Sequence, residues 1–370
     1  MPTTHRPESR PDTKRETPLR IVSIGGGTGL STLLRGLKKY TARHQRKNGS
    51  TLPVVDITAI VTVTDDGGSS GRLRRELHVP PPGDIRNCLV ALSEDEDLLS
   101  KLFQHRFDAG EGLKGHSFGN LFLSALCQIT GDFTHAVSLS SEVLAVSGRI
   151  YPSTGTNVSL EATLGNGNKV QGETNISASR ESIERISLSP RHCEPLPEAL
   201  RAIEQADLIT MGPGSLFTSV IPNLLVSGIP EAILASNASK VYVSNLMWQP
   251  GETMNFSASH HVQAIFDHAG HPVFDTVLVN TGVAGETQRA IYMEQHAEPV
   301  QGDVEALRKL GLRVIERDLL GKTEKIRHQP DLLAAVLVDL AGQRAADYLN
   351  GEAAISAVTG STAKSPFLYE

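Results

Sequence analysis

At 370 residues the chain is long enough for two to three units of about 150 residues and for a sizeable core. Its 39% hydrophobic and 21% charged content is ordinary globular composition, which excludes a wholly disordered chain and a collagen-like repeat. With 35 basic against 41 acidic residues the net charge is -6, so nucleic acid is not an expected partner. The apolar run Leu332 to Val338 falls far short of the ~20 residues that cross a bilayer, so no membrane insertion is expected either.

Cys88, Cys127 and Cys193 are odd in number and show no C-x-x-C spacing, which points to a reducing compartment. The stretch 1–18 holds charges and prolines but no apolar run of the secretory kind. The expectation is a cytoplasmic protein with a disordered tail over residues 1–18. From Leu19 the pattern LRIVSIGGGTGLSTLLRGLKKY reads as a strand, a glycine loop and a helix with Leu30, Leu33, Leu34 and Leu37 on one face. A second strand ends in TDDGGSSGR. After Pro80, Pro81 and Pro82 a helix gathers Ile85, Cys88, Leu89 and Leu92, with Asp84 as its expected N-cap. Ser93 and Glu96 form an expected capping box, so the acidic run Glu94 to Asp97 is read as helix-start chemistry. GHSFGN leads into an apolar helix over Leu121 to Ile129, and Asp132 is expected to cap another.

Between Arg149 and Leu188 the period shifts towards alternation, and Asn166-Gly167 between LEATL and KVQGE is a strong hairpin signal. Strand and helix patterns then alternate from ALRAIEQ and DLITM through KVYVSN, HHVQAIFDHAG, DTVLVN and LRVIE to a last helix over Asp331 to Tyr348. The expected fold class is α/β: a doubly wound, mainly parallel Rossmann-like sheet with a small β-hairpin excursion. The expected division is a nucleotide-binding α/β part over 19–148, the β excursion over 149–190, a second α/β part over 191–350 and a flexible tail over 351–370.

Ligands of open parallel sheets bind beyond the carboxyl ends of the strands, so those ends hold the candidate residues. Gly25, Gly26, Gly27, Thr28 and Gly29 lie between a strand and a helix, where a phosphate can approach backbone N–H groups at the positive end of the helix dipole; a tight turn is the alternative. The spacing is neither G-x-G-x-x-G, because Leu30 takes the last glycine's place, nor a Walker loop. Gly212, Pro213, Gly214 and Ser215 repeat the arrangement, and two such loops in one sheet favour a diphosphate or a nucleotide. Asp65 and Asp66, followed by Gly67 and Gly68, are candidates for holding ribose hydroxyls and a water-bound Mg²⁺, with plain turn chemistry as the alternative. Arg86 and Asn87 sit at a helix start that can face the same ligand. His116 and Asn120 make a polar corner suited to orienting a ligand or moving a proton near neutral pH. Asn245 closes the end of a further strand.

Other patterns carry less. G-x-S-x-G occurs at Gly67 to Gly71 and at Gly115 to Gly119, but neither Ser69 nor Ser117 has both the strand before and the helix after that a nucleophile elbow needs; Ser69 runs into a charged stretch. His260, His261, His268 and His271 lack zinc-protease spacing and are read as helix surface. Cys88 reads as an inert core thiol. Trp248 either stacks on a ligand or closes a core edge.

Taken together, IGGGTGLSTLLRGLK, VTVTDDGGSSGRLRREL, PPPGDIRN, LFQHRF, GHSFGNL, GPGSLFTSVIPNLLV and NLMWQPGET resemble the gluconeogenesis factor family (YvcK-like), over about residues 19–330. That family is similar in fold to 2-phospho-L-lactate transferase (CofD-like). The resemblance implies a cytoplasmic regulator that binds UDP-sugars, notably UDP-N-acetylglucosamine, and supports cell shape and peptidoglycan synthesis on gluconeogenic carbon. Cell-wall synthesis proteins are the partners it implies, and a homo-oligomer is left open. By motif it places the ligand at Gly26, Gly27, Thr28, Asp65, Asp66, Asn87, His116, Asn120 and the loop Gly212 to Ser215, and adds Tyr292 and Arg327. The alternative is a CofD-like transferase acting on a nucleotide-linked 2-phospho-L-lactate type substrate, with Asp65, Asp66 and His116 as catalytic candidates. The chain departs from the family pattern by its charged N-terminal stretch and by extra residues between Tyr40 and Val54.

Overall fold

Ile21, Val22 and Ile24 in LRIVSIG are buried in a strand, β1 (Leu19–Gly25), whose near-continuous apolar run suits a sheet covered on both faces. The structure, a computed structural model, describes residues 17–49, 52–94, 98–179, 181–294 and 296–344. The expected tails, apart from Thr17 and Pro18, lie outside the described residues, as do residues 345–348 of the expected last helix and the Glu96 end of the expected capping box.

After β1 come α1 (Gly27–Lys38), α2 (Ala42–Asn48), β2 (Val55–Val61), α3 (Gly68–Leu77), α4 (Gly83–Leu92), α5 (Leu98–Gln104), α6 (Phe118–Thr130), α7 (Phe133–Val143) and β3 (Arg149–Pro152). A middle segment holds β4 (Ser159–Leu164), β5 (Lys169–Gln171), α8 (Glu173–Ala178) and β6 (Ile183–Ser189). Next are α9 (Pro197–Glu204), β7 (Leu208–Met211), a π-helical turn Leu216–Val220 that runs into α10 (Ile221–Leu224), α11 (Ile229–Ala235), β8 (Ser239–Val243) and α12 (Ala258–Ala269). The described chain closes with β9 (Thr276–Asn280), α13 (Glu286–Met293), α14 (Val304–Lys309), β10 (Arg313–Arg317) and a helix over 330–344.

The main sheet is seven-stranded in the order β10-β9-β8-β7-β1-β2-β3, and every pairing in it is parallel. The α/β, doubly wound expectation holds. The hairpin expected at Asn166-Gly167 is β4–β5, joined by β6 into a three-stranded antiparallel sheet. β3, inside the stretch read as the β excursion, pairs with β2 at the edge of the main sheet. No single helix among the described residues is long and apolar enough to cross a membrane.

Three local readings are corrected. Asp84 is not the N-cap of α4; Pro82 takes that place and Asp84 lies inside the first turn. The Ser93 hydroxyl, whose expected capping-box partner Glu96 lies outside the described residues, donates to the Leu144 carbonyl at 3.0 Å. The charged stretch after Ser69 is a helix, α3, because Gly67 and Gly68 start it and Leu73 anchors it. His261 and His268 are buried rather than on a helix surface, each with its Nδ1 at the carbonyl four residues back and its ring against Phe256 or Phe217. By contrast, Leu30, Leu33, Leu34 and Leu37 are fully buried on α1, and Asp132 caps α7 through the His135 amide at 2.6 Å. The three cysteines are free and buried, and burial pushes the Cys88 thiol well above its usual value.

The extra residues after Tyr40 form α2, capped by Thr41 and closed by Gly49 in a left-handed conformation. At its other face α1 meets the last helix at Gly36, where a Cβ would overlap the Pro330 carbonyl oxygen and come within 2.9 Å of the Ala334 Cβ. Alanine there gains ~1 kcal/mol of helix propensity but incurs an overpacking cost of about 1–3 kcal/mol, which outweighs it. Gly36→Ala is therefore expected to lower stability by up to about 2 kcal/mol, read as a reduced urea midpoint at unchanged slope.

Candidate functional site

β1 and β7 lie side by side, yet the chain leaves β1 towards β2 and leaves β7 towards β8, so the loops at their carboxyl ends meet where the sheet's winding reverses. Such a switch point opens a crevice for ligands. The loops touch: a Cβ on Gly29 would overlap the Pro213 carbonyl oxygen and sit 2.9 Å from the Gly214 Cα. Gly27 has a left-handed φ of 61°, the conformation glycine tolerates best. The Gly25 carbonyl is held by the Thr62 amide at 3.0 Å and by Asn223 Nδ2 at 3.2 Å. Gly26 gives α1 no side-chain cap, so apart from the Gly27 amide, which the Asp84 carboxyl takes, its first turn leaves backbone N–H groups for an anion, beside the exposed Thr28.

Two adjoining cavities flank Thr28. One of about 230 Å³ is lined by Gly26, Gly27, Thr28 and Gly29, by Pro213, Gly214 and Ser215, and by Asn245, Trp248, Tyr292 and Arg327. The other, of about 630 Å³, runs along α1 and is lined by Thr28, Ser31, Arg35, Arg86, Asn87, Arg106 and Arg327 among others. Thr28 and Arg327 line both. Gln249 donates to the Ser215 hydroxyl at 2.6 Å and fixes the second loop. Trp248 lines the smaller cavity while its Nε1 donates to the Phe256 carbonyl at 3.1 Å, so it borders the ligand space and closes a core edge together.

Asp65, Asp66, His116 and Asn120 line neither cavity and instead form a polar shelf on the α3, α4 and α6 side of the glycine loop. Asp65 accepts from the Gly67 amide at 2.9 Å, and its other oxygen lies against Gly83 at the start of α4. Asp66 accepts from the Thr174 amide and hydroxyl, both at 2.8 Å, and so ties the small sheet to the second strand's loop. His116 Nδ1 is 3.0 Å from the Ser69 hydroxyl. Burial, then Arg72, lowers the imidazole's pKa, so the neutral ring is the resting form. Asn120 donates to the Ser70 hydroxyl at 3.3 Å. Gly67 starts α3 in extended backbone, and Gly68, like Gly212, has a positive φ.

Asp84, read from sequence only as a cap, packs directly against the glycine loop. A Cβ on Gly26 would lie 2.6 Å from Asp84 Oδ2, and the Gly27 amide hydrogen-bonds to that carboxyl. Burial first, and Asp65 second, raise the Asp84 pKa to about 7. Arg35 was missed as well, although Thr28, Ser31 and Arg35 stand at helical spacing and that signal was available. Among the described residues no group of three or more His, Cys, Asp or Glu side chains stands in a metal-holding arrangement.

The Asp84 shift has a sign. Between about pH 4 and pH 7 the folded state retains a proton that the unfolded chain has released, so stability from this group falls as pH rises through that window. Asp84→Asn is expected to be more stable than the parent at pH 8, by about 2–4 kcal/mol, with the gain vanishing near pH 4. Urea unfolding at the two pH values checks it; an equal gain at both would assign the effect to packing.

The model of the family described as 2-phospho-L-lactate transferase CofD matches residues 21–320. A Bacillus subtilis protein named gluconeogenesis factor is 50% identical over 323 residues, covering 87% of this chain and 98% of its own. A Nostoc protein named putative gluconeogenesis factor is 50% identical over 322 residues, 86% of this chain and 68% of its own. A crystal structure of a Bacillus halodurans protein superposes with a TM-score of 0.82 at 48% identity, over 87% of this chain and 100% of the other. With this much of its length shared, the chain belongs to the CofD family, alongside the relatives named gluconeogenesis factor.

Proposed function

We propose that this protein is a cytoplasmic regulator that binds a UDP-sugar of the UDP-N-acetylglucosamine type and links its level to cell-wall synthesis and cell shape during growth on gluconeogenic carbon. The observation that carries this reading is the pair of touching glycine loops with Thr28 and Arg327 standing between two cavities. Uncapped N–H groups, a hydroxyl and a guanidinium around one point suit a diphosphate. The smaller cavity adds Tyr292, Trp248, Met247 and Ile326, an apolar and aromatic surface suited to a nucleoside. The relatives' name supports the physiological part, and partners among cell-wall synthesis proteins belong to the same proposal.

A second reading, a transferase acting on a nucleotide-linked 2-phospho-L-lactate type substrate, is favoured by the family model and by the paired Asp65 and Asp84 carboxyls beside the glycine loop. Two carboxylates with phosphate oxygens and water suit Mg²⁺, which would neutralise charge on a transferring phosphoryl group. Here His116, hydrogen-bonded to Ser69, would orient groups at the shelf.

A thermal-shift titration against UDP-N-acetylglucosamine, UDP-glucose, GTP and NAD separates the readings, because a ligand at 100 times its Kd stabilises by about 2.7 kcal/mol. UDP-sugars are expected to raise the Tm, and Thr28→Ala and Arg327→Ala to weaken their binding about tenfold or more. UDP-N-acetylglucosamine incubated with the protein and Mg²⁺ should be recovered intact. A shift with GTP alone, or turnover abolished by Asp65→Asn, would replace the regulator with the transferase.

A further inference from the structure

Two buried hydrogen-bond acceptors at the smaller cavity have no partner. Asn245 Oδ1 and His328 Nε2 are both shielded from solvent and unbonded, and both residues line the cavity that also holds Trp248 and Tyr292. A buried acceptor left unpaired carries a desolvation cost, which a ligand that brings a donor to it removes.

Both acceptors are fixed from behind. His328 is 7% exposed, and its ring hydrogen-bonds to the Ser244 backbone. Burial lowers its pKa to about 4, so the imidazole is neutral at physiological pH. With the ring proton on Nδ1 spent on the Ser244 carbonyl, Nε2 offers a lone pair. The loop carrying His328 is closed on either side, by the Gly321 amide on the Arg327 carbonyl at 2.8 Å and by the Gln329 amide on the Leu319 carbonyl at 2.7 Å. Asn245 follows Ser244 beyond the end of β8. Its Nδ2 donates to Gln249 Oε1 at 3.5 Å, and Gln249 donates to the Ser215 hydroxyl, an arrangement that orients the Asn245 amide and leaves Oδ1 as the open acceptor. Because the His328 ring is bonded to the residue before Asn245, the two side chains belong to one corner of the cavity.

Two acceptors in one corner call for two donors on one ligand group. Uracil has a single N–H set between two carbonyl oxygens, so its edge would turn an oxygen towards one of the acceptors. Ribose carries hydroxyls on adjacent carbons, and each can donate. The carboxylates expected from sequence to hold the ribose are engaged elsewhere: Asp65 accepts from the Gly67 amide and Asp66 from Thr174, and neither lines either cavity.

We infer that Asn245 Oδ1 and His328 Nε2 accept from the 2′- and 3′-hydroxyls of the ligand's ribose, and so select a ribonucleotide over its deoxy counterparts. This rests on the nucleotide-sugar reading above and adds to it the residues that read the pentose.

UDP-N-acetylglucosamine and its 2′-deoxyuridine and 3′-deoxyuridine counterparts differ only in those hydroxyls, so calorimetry of the three against the full chain isolates them. Each deoxy compound is expected to bind at least tenfold more weakly than the ribo compound, because its absence of a donor leaves one acceptor buried and unpaired. The ratio should fall towards one in Asn245→Leu/His328→Phe and part of the way in each single variant, with unliganded melting curves showing that the variants fold. Asn245→Leu, which leaves the bond between His328 and Ser244 in place, decides the matter alone if the His328 variants do not fold. A residue that only shaped the cavity would weaken all three ligands equally and keep the ratio, and a ratio unchanged in the variants would overturn the assignment to this pair. Equal affinities in the parent would overturn the ribose proposal and leave the UDP-sugar reading standing. Binding of none of the three would remove the UDP-sugar reading and this proposal with it.

Discussion

The close approach of the Gly29 backbone to the Pro213 carbonyl is the constraint on which the candidate site depends. Two adjacent strands can deliver two loops to one point only where the winding of the sheet reverses, and only if neither loop carries side chains that hold the other off. The apolar face of α1, with Leu30, Leu33, Leu34 and Leu37 all buried, sets the direction of that helix. Core packing beneath therefore aims the uncapped N–H groups, and the loop conformation above leaves them accessible.

Charge is sorted around the same point. On one side Asp65, Asp66, Asp84 and Glu173 cluster: burial, then Asp65, raises Asp84 to about 7, and burial with the neighbouring carboxylates pushes Glu173 up to about 9. On the other side the arginines line the groove along α1. Burial favours the protonated form of Asp84 and Glu173, while the guanidinium groups stay charged at every physiological pH. The site thus presents carboxyls behind the glycine loop and fixed cations in front, a polarity suited to an anion entering from the groove.

The sheet was legible because its strands are β-branched runs ending in glycine loops, and the three-stranded excursion because Asn166-Gly167 is a strong local turn signal. Gly26, Thr28, Ser215, Asn245, Tyr292 and Arg327 do gather around one cavity. Tyr292 and Arg327 came from resemblance alone, since α13 buries no residue and the loop before the last helix has no periodicity to read. Asp84 was assigned to a cap because N-cap chemistry is local, whereas its role under Gly26 depends on the packing of α4 against α1. The buried His261 and His268 were misread for a related reason: an imidazole that bonds its own helix's carbonyl is polar by composition but satisfied in a core.

The order of the strands also bears on how the molecule is made. β1 ends at Gly25, but β7, which covers its second edge, ends only at Met211. At ~5–20 residues per second, ribosomal synthesis leaves an interval of about 10–40 s in which β1 has β2 on one side and an open row of N–H and C=O groups on the other. An unpaired edge of that kind can template pairing with another nascent chain. The switch point that brings the two loops together therefore leaves an edge of the newborn sheet open until its second half emerges.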